Sequence, residues 1–440
     1  MDAPRRVNYN RCLPNDETPA PLTRRNAFYA QSGGVTAVIN ASACGVIQTA
    51  RQHKRSIGRV YAGRNGIIGA LTEDLIDTGR ESSRAIAALM HTPAGAFGSC
   101  RYKLAGIDRD KAQYERLLDV FRAHDIGYFF YNGGNDSADT CLKVSQMAAR
   151  LDYPLIAVHV PKTVDNDLAV TDCCPGFGSV AKYNATTVME IAADVSSMAT
   201  DDGACCLVEV MGRGAGWIAA SAVLAKRAAQ DAPHIILLPE IPFNESAFLS
   251  KVKEIVDALK FCMVVVGEGL KNPDGKEFNA DTSRLDAFGH PVLSGAGERL
   301  AEIVLGKLNI KTRTVKLGYA QRCAAHYASA TDAAEARACG EAAVRAAIQG
   351  QSGFMVKIIR TQNNPYRWTT GLQPLGDIAN VEHVIPRDWI SEDGFMPTEK
   401  FVEYARPLIE GEVKFPTEGG LPKFVRLGKT RVEKKLPSRG

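Results

Sequence analysis

The chain has 440 residues, 45% hydrophobic and 23% charged, with a net charge of +4. That length accommodates two or three α/β lobes with sizeable cores, and the charge is too small and too dispersed to argue for nucleic acid as a partner. There is no signal segment and no 18-residue apolar run, so no membrane association is expected, and eleven cysteines without a CxxC pattern favour reduced, mostly buried thiols in the cytoplasm.

Residues 1–25 mix Pro, Asn, Arg and Asp without periodicity and are expected to form a flexible N-terminal tail. From Asn26 onward, short apolar strands alternate with helical stretches. This pattern predicts an α/β fold of two doubly wound, Rossmann-like lobes with mostly parallel sheets and a cleft between them. Asn26–Ala30 reads as a strand that turns at Gln31-Ser32-Gly33-Gly34 into a helix carrying Val38, Ile39 and Val46. Helices follow at roughly 108–124, 136–150 and 177–197, and strands at Ile126–Tyr131, Leu155–Val160, Ala204–Val210, Ile235–Leu238 and Cys262–Gly267. Residues 270–293 are polar and turn-rich, an insertion ahead of a helix near 295–307. The Ala-rich run 328–349 has helix-forming composition and is polar on one side. Residues 26–176 with about 320–390 are expected to make one lobe and 177–319 the other, followed by a C-terminal extension at 391–440.

Chemistry-bearing residues gather just after the strands, where open parallel sheets bind their ligands. Ser32-Gly33-Gly34 can present backbone amides to a phosphate, although a Gly-Gly pair at a strand-to-helix turn is common in any case. Gly133-Gly134-Asn135-Asp136 adds polar ligands for a hydrated Mg²⁺; the same residues also suit an ordinary helix start. Lys162-Thr163-Val164-Asp165-Asn166-Asp167 carries the most specific signal, because an ammonium, a hydroxyl and two carboxylates follow one strand. Asp165 can accept a proton from an attacking hydroxyl, and Lys162 can neutralise charge on a transferring phosphoryl group. Thr163 can hold a ligand oxygen, and Asp167 can bind metal-bound water or orient Asp165. Arg101, Arg213, Arg313 and Arg322 can grip phosphate, and Glu268 can accept from sugar hydroxyls.

In order along the chain, Gln31–Gly34, Gly133–Asp136, Pro161–Asp167, Glu209–Arg213 and Gly318–Arg322 resemble the motifs of the phosphofructokinase family from about Phe28 to Arg322. The resemblance implies Mg²⁺-dependent transfer of a phosphoryl group to the C1 hydroxyl of fructose 6-phosphate, in glycolysis or gluconeogenesis, with Asp165 as the base. It implies a sugar-phosphate site of Thr163, Val164, Asp165, Met211, Gly212, Arg213, Glu268, Arg313, Tyr319 and Arg322. Gly33, Gly34, Arg101 and Lys162 would hold the donor, Asp136 would join the catalytic group, and Asn135, Asp136 and Asp167 the metal set. Asp136 and Lys162, where ATP-using members typically carry glycine and a small residue, are similar to the pyrophosphate-dependent branch; Tyr319 and the 270–293 insertion agree. An Asp136 side chain would fill the room of a nucleotide's α-phosphate and repel its charge. The expected reaction is therefore reversible phosphoryl transfer from pyrophosphate to fructose 6-phosphate by a homodimer or homotetramer, with ATP as the alternative donor. Two positions depart from the family pattern: Asn135 stands where many relatives have aspartate, and Ala204 where many bacterial ATP enzymes lend an arginine to the neighbouring subunit.

Overall fold

The computed structural model describes residues 24–285, 291–293, 295–378 and 381–437. Almost all of the expected N-terminal tail thus lies outside the described residues. The strands are β1 (Arg25–Ser32), β2 (Ile57–Gly63), β3 (Leu75–Asp77), β4 (Ser99–Cys100), β5 (Ile126–Gly133), β6 (Ile156–Pro161), β7 (Ala204–Val210), β8 (Ile235–Leu237), β9 (Phe261–Gly267), β10 (Ala280–Leu285), β11 (Pro291–Leu293), β12 (Lys311–Lys316), β13 (Phe354–Gln362), β14 (Arg367–Pro374), and the two-residue β15 (Thr417–Glu418) and β16 (Leu421–Pro422).

One sheet has the order β14-β13-β6-β5-β1-β2-β3, with β4 also pairing to β1; the other has the order β12-β7-β9-β8. The second sheet is parallel throughout, while the first is parallel except at its two ends, where β3 and β14 run antiparallel to β2 and β13. Helices cover both faces of the larger sheet, so its middle strands need no polar side: every residue of β5 is buried. This explains why these strands read as continuous apolar runs rather than alternating ones.

Chain order in the larger sheet moves from β1 outward to β2, then returns to place β5 on the other side of β1. That reversal opens a crevice beyond the carboxyl ends of β1 and β5, the switch point at which such sheets receive ligands. The glycine turns after β1 and β5 and the charged turn after β6 all lie there.

The helix Ala330–Ile348 keeps its expected polar side, where Glu341 pairs with Arg337 and Arg345. Its packing partner is the helix Ile39–Gln52, approached so closely that a Cβ on Gly45 or Gly340 would lie 2.2 Å from a carbonyl oxygen of the other helix. Two of its acidic residues are buried as well: Asp332 accepts from the amides of Gly176 and Ser179 at the N-terminus of the helix Phe177–Ser197. Asp332 thus caps a second helix from inside the fold. The stretch after residue 360, hard to assign from sequence, supplies β14, the helix Glu399–Ala405 and a last segment beside β3, where Asp77 N–H donates to Thr430 and Val432 N–H to Leu75. Within the polar 270–293 insertion, β10 and β11 pair antiparallel.

Candidate active site

A cleft of about 240 Å³ collects residues from both sheets: Gly33 and Gly34 after β1, Arg101 after β4, Asn135 and Asp136 after β5, Lys162–Asp165 and Asp167 after β6, Met211 and Glu268 after β7 and β9, and Arg322. Gly33 adopts φ +75°, a left-handed conformation suited to glycine, and its amide donates to Cys100 O at 2.9 Å. A Cβ on Gly34 would stand 3.0 Å from one Arg322 guanidinium nitrogen and 3.5 Å from one of Arg101. Both arginines therefore converge on the glycine turn.

Lys162 is only 3% exposed, and its Nζ donates to Gly34 O at 2.6 Å. Burial draws its pKa down to about 8; Asp165 and Asp167 oppose the shift, and Arg101 and Arg322 add to it. Asp165 moves the other way. Enclosure by protein raises it to about 7, with further upward pushes from Asp167 and Glu268 and downward pulls from Lys162 and Arg101. Asp167 is raised for the same first reason, offset by its hydrogen bond with Thr163. An acid and a base whose values approach one another near neutrality suit proton transfer.

Asp136 has its carboxylate on Lys103 Nζ at 2.8 Å, with both side chains about half exposed. Lys103 was not singled out from the sequence, although it lies two residues beyond Arg101. Asn135 donates through Nδ2 to Val381 O, while its Oδ1, like Asp167 Oδ1, is buried with no hydrogen-bond partner. Among the described residues no group of three or more His, Cys, Asp or Glu side chains could hold a metal ion. The donor set does not amount to an all-protein cage. Two acceptors without partners facing a phosphate cleft do fit a Mg²⁺ that keeps several waters.

On the second sheet, Gly212 takes φ +118° and Glu268 N–H donates to Val210 O. Burial, then Glu209, raises the Glu268 pKa. Arg213 lies 3.9 Å from Glu277 of the insertion, and Tyr319 is 70% exposed with the Arg322 guanidinium 4.3 Å above its ring. Tyr319 lines an adjoining cavity with Met211, Glu268, Lys316, Gly318 and Gln321. Gln321 is the organiser there, because its Oε1 accepts from Asn184 and from Met211 N–H.

Arg313 is not brought to the cleft. It lies on β12, an edge strand, beside Glu190, Asp194 and Cys206. Strand alternation places it on the face opposite Lys316, which pairs with Glu209 at 2.6 Å. Within one chain, the expected grip of Arg313 on the sugar phosphate is therefore not formed.

A glycine-turn phosphate cradle, a cationic cluster and a carboxylate at the end of a strand define a phosphoryl-transfer site on a two-sheet α/β fold. The phosphofructokinase family pattern matches residues 26–347, and the chain belongs to that family. It is 56% identical over 416 residues to the pyrophosphate--fructose 6-phosphate 1-phosphotransferase of Halomonas elongata, covering 94% of this chain and 99% of that one. The enzyme of the same description from Methylococcus capsulatus is 57% identical over 415 residues, with the same coverage. The crystal structure of a pyrophosphate-dependent phosphofructokinase from Nitrosospira multiformis superposes with a TM-score of 0.87 at 53% identity, covering 94% of this chain and all of that one. Among the described residues no helix is long and apolar enough to cross a membrane. The described cysteines are all free.

Proposed function

We propose that this chain is a reversible pyrophosphate:fructose-6-phosphate 1-phosphotransferase. The observation that carries this reading is the meeting, in one cleft, of Asp165 with Lys162, Arg101 and Arg322. Asp165 accepts the proton of the C1 hydroxyl as that oxygen attacks the terminal phosphorus. Lys162 and Arg101 take up the charge that gathers on the equatorial oxygens, and their enclosure strengthens this without reorganisation during the step. Thr163, Val164, Met211, Gly212, Arg213, Glu268, Tyr319 and Arg322 make up the sugar-phosphate side. Gly33 and Gly34, having no side chains, let the bare diphosphate approach the turn closely, although the Gly33 amide is already committed to Cys100 O. Asp167 and Asn135 are the residues that would hold Mg²⁺, which when bound neutralises the donor's phosphate oxygens.

The donor preference rests on the mouth of the cleft. Asp136 is paired with Lys103, which offsets much of its charge, so exclusion of a nucleotide depends on occupied volume more than on repulsion. Lys162 supplies the attraction that a donor without an adenosine handle lacks. By family likeness the enzyme works in the cytoplasm as a homodimer or homotetramer. The test is a side-by-side assay with fructose 6-phosphate and either Mg-pyrophosphate or Mg-ATP. Turnover with pyrophosphate at least about tenfold above that with ATP, a difference of about 1.4 kcal/mol, is the expected result; preference for ATP overturns it.

A further inference from the structure

The turn that carries Asp165 and Asp167 is held from behind by the C-terminal part of the chain. Between these two carboxylates lies Asn166, only 1% exposed, with φ +55°. Left-handed backbone costs most residues about 1–2 kcal/mol, and asparagine tolerates it better than most. Here the side chain points away from the cleft and is fully engaged. Its Oδ1 accepts from Cys174 N–H at 2.8 Å, and its Nδ2 donates to the Tyr404 hydroxyl at 2.9 Å. Tyr404 in turn donates to Asp172 O at 2.6 Å.

The tyrosine has little freedom to drift. Its ring lies 5.4 Å from both Trp217 and Trp389, the Arg360 guanidinium lies 4.8 Å from its centre, and Arg360 also bonds Asp172 and the Tyr404 carbonyl. One hydroxyl thus joins the residue between the two carboxylates to a rigid aromatic and ionic cluster. Tyr404 Oη is the acceptor for Asn166 Nδ2, and the Cys174 amide is the donor to its Oδ1.

We propose that Tyr404 is a positioning residue for phosphoryl transfer: through Asn166 it fixes the backbone bend that aims Asp165 and Asp167 into the cleft. This rests on the role proposed above for Asp165. Tyr404 touches no reacting group, so its effect falls on the alignment of the attacking hydroxyl rather than on sugar affinity. Misplacement of a reacting group by about 1 Å costs about a hundredfold in rate.

The test compares Tyr404→Phe, which keeps the ring and its packing, with Asn166→Gly, which keeps left-handed backbone accessible, and with the double variant. Expected for each single variant is a fall in kcat of about tenfold or more, with the KM for fructose 6-phosphate within about threefold of wild type. The double variant is expected to be no slower than the slower single variant, because both remove the same hydrogen bond. Wild-type kcat in Tyr404→Phe, losses that multiply in the double variant, or a rise in KM with kcat unchanged overturns the proposal. A lower melting temperature with undiminished kcat likewise marks a merely structural tyrosine. Should wild type prove inactive with pyrophosphate, the proposed function falls, and the three variants are compared with the donor that the enzyme does use.

Discussion

Two lysines serve the same cleft in different surroundings. Lys162 is 3% exposed and shares an enclosed space with Asp165 and Asp167; the Lys103 side chain is 46% exposed and meets Asp136 at the mouth. Exposed pairs of the second kind contribute about 0.2–1 kcal/mol and weaken with salt. Within the cleft the same chemistry is amplified, enough to draw an ammonium and a carboxylate toward neutrality from opposite directions. In the function proposed above, the inner group governs the chemical step and the outer pair governs which donor can enter.

Replacing Asp165 by Asn tests the inner half most severely. Turnover should fall about 10²–10⁴-fold, the usual contribution of a positioned base, while sugar affinity stays near wild type. Steady-state kinetics with both substrates varied decides this, and near-wild-type turnover removes Asp165 from the base role.

The pH profile of kcat/KM sharpens the comparison further. As the proposed base, Asp165 would act in its ionised form, so activity should be lost as pH falls through about 7. In its proposed role Lys162 would act in its charged form, so activity should be lost as pH rises through about 8. A narrow bell is expected, and its acid limb should vanish from the residual activity of Asp165→Asn. Persistence of that limb would assign it to another group.

The outer pair should give the smallest change in rate. Asp136→Gly should reduce pyrophosphate use a few-fold, on the order of 1 kcal/mol, and admit some ATP turnover. An unchanged ratio of the two donors would show that Asp136 does not narrow the mouth.

Much of this site was legible because its groups follow directly on strands with unmistakable apolar runs. β1, β5, β6 and β7 are buried on both faces, and the turns after them deliver Gly33, Asn135, Lys162 and Met211 to one crevice. Sequence reading alone does not supply side-chain direction or long-range distance. Arg313 belongs to a family-like motif, yet on an edge strand the alternation of side chains turns it away from Tyr319 and Arg322. Tyr404 is 238 residues from Asn166, and no local pattern joins them. Glu335 is likewise buried between Cys173 and Tyr366, partners far away in sequence, and burial lifts its pKa to about 8.

The short segment from Val381 to Ile385 is stitched to both sides of the cleft. Val381 receives Asn135, and His383 N–H reaches Asp167 O; His383 O receives the Trp217 indole, and Ile385 N–H reaches Glu240. Five consecutive residues thus tie Asn135 and Asp167, beside the larger sheet, to Trp217 and Glu240, beside the smaller one, and the Asp167 carbonyl is one of the four anchor points.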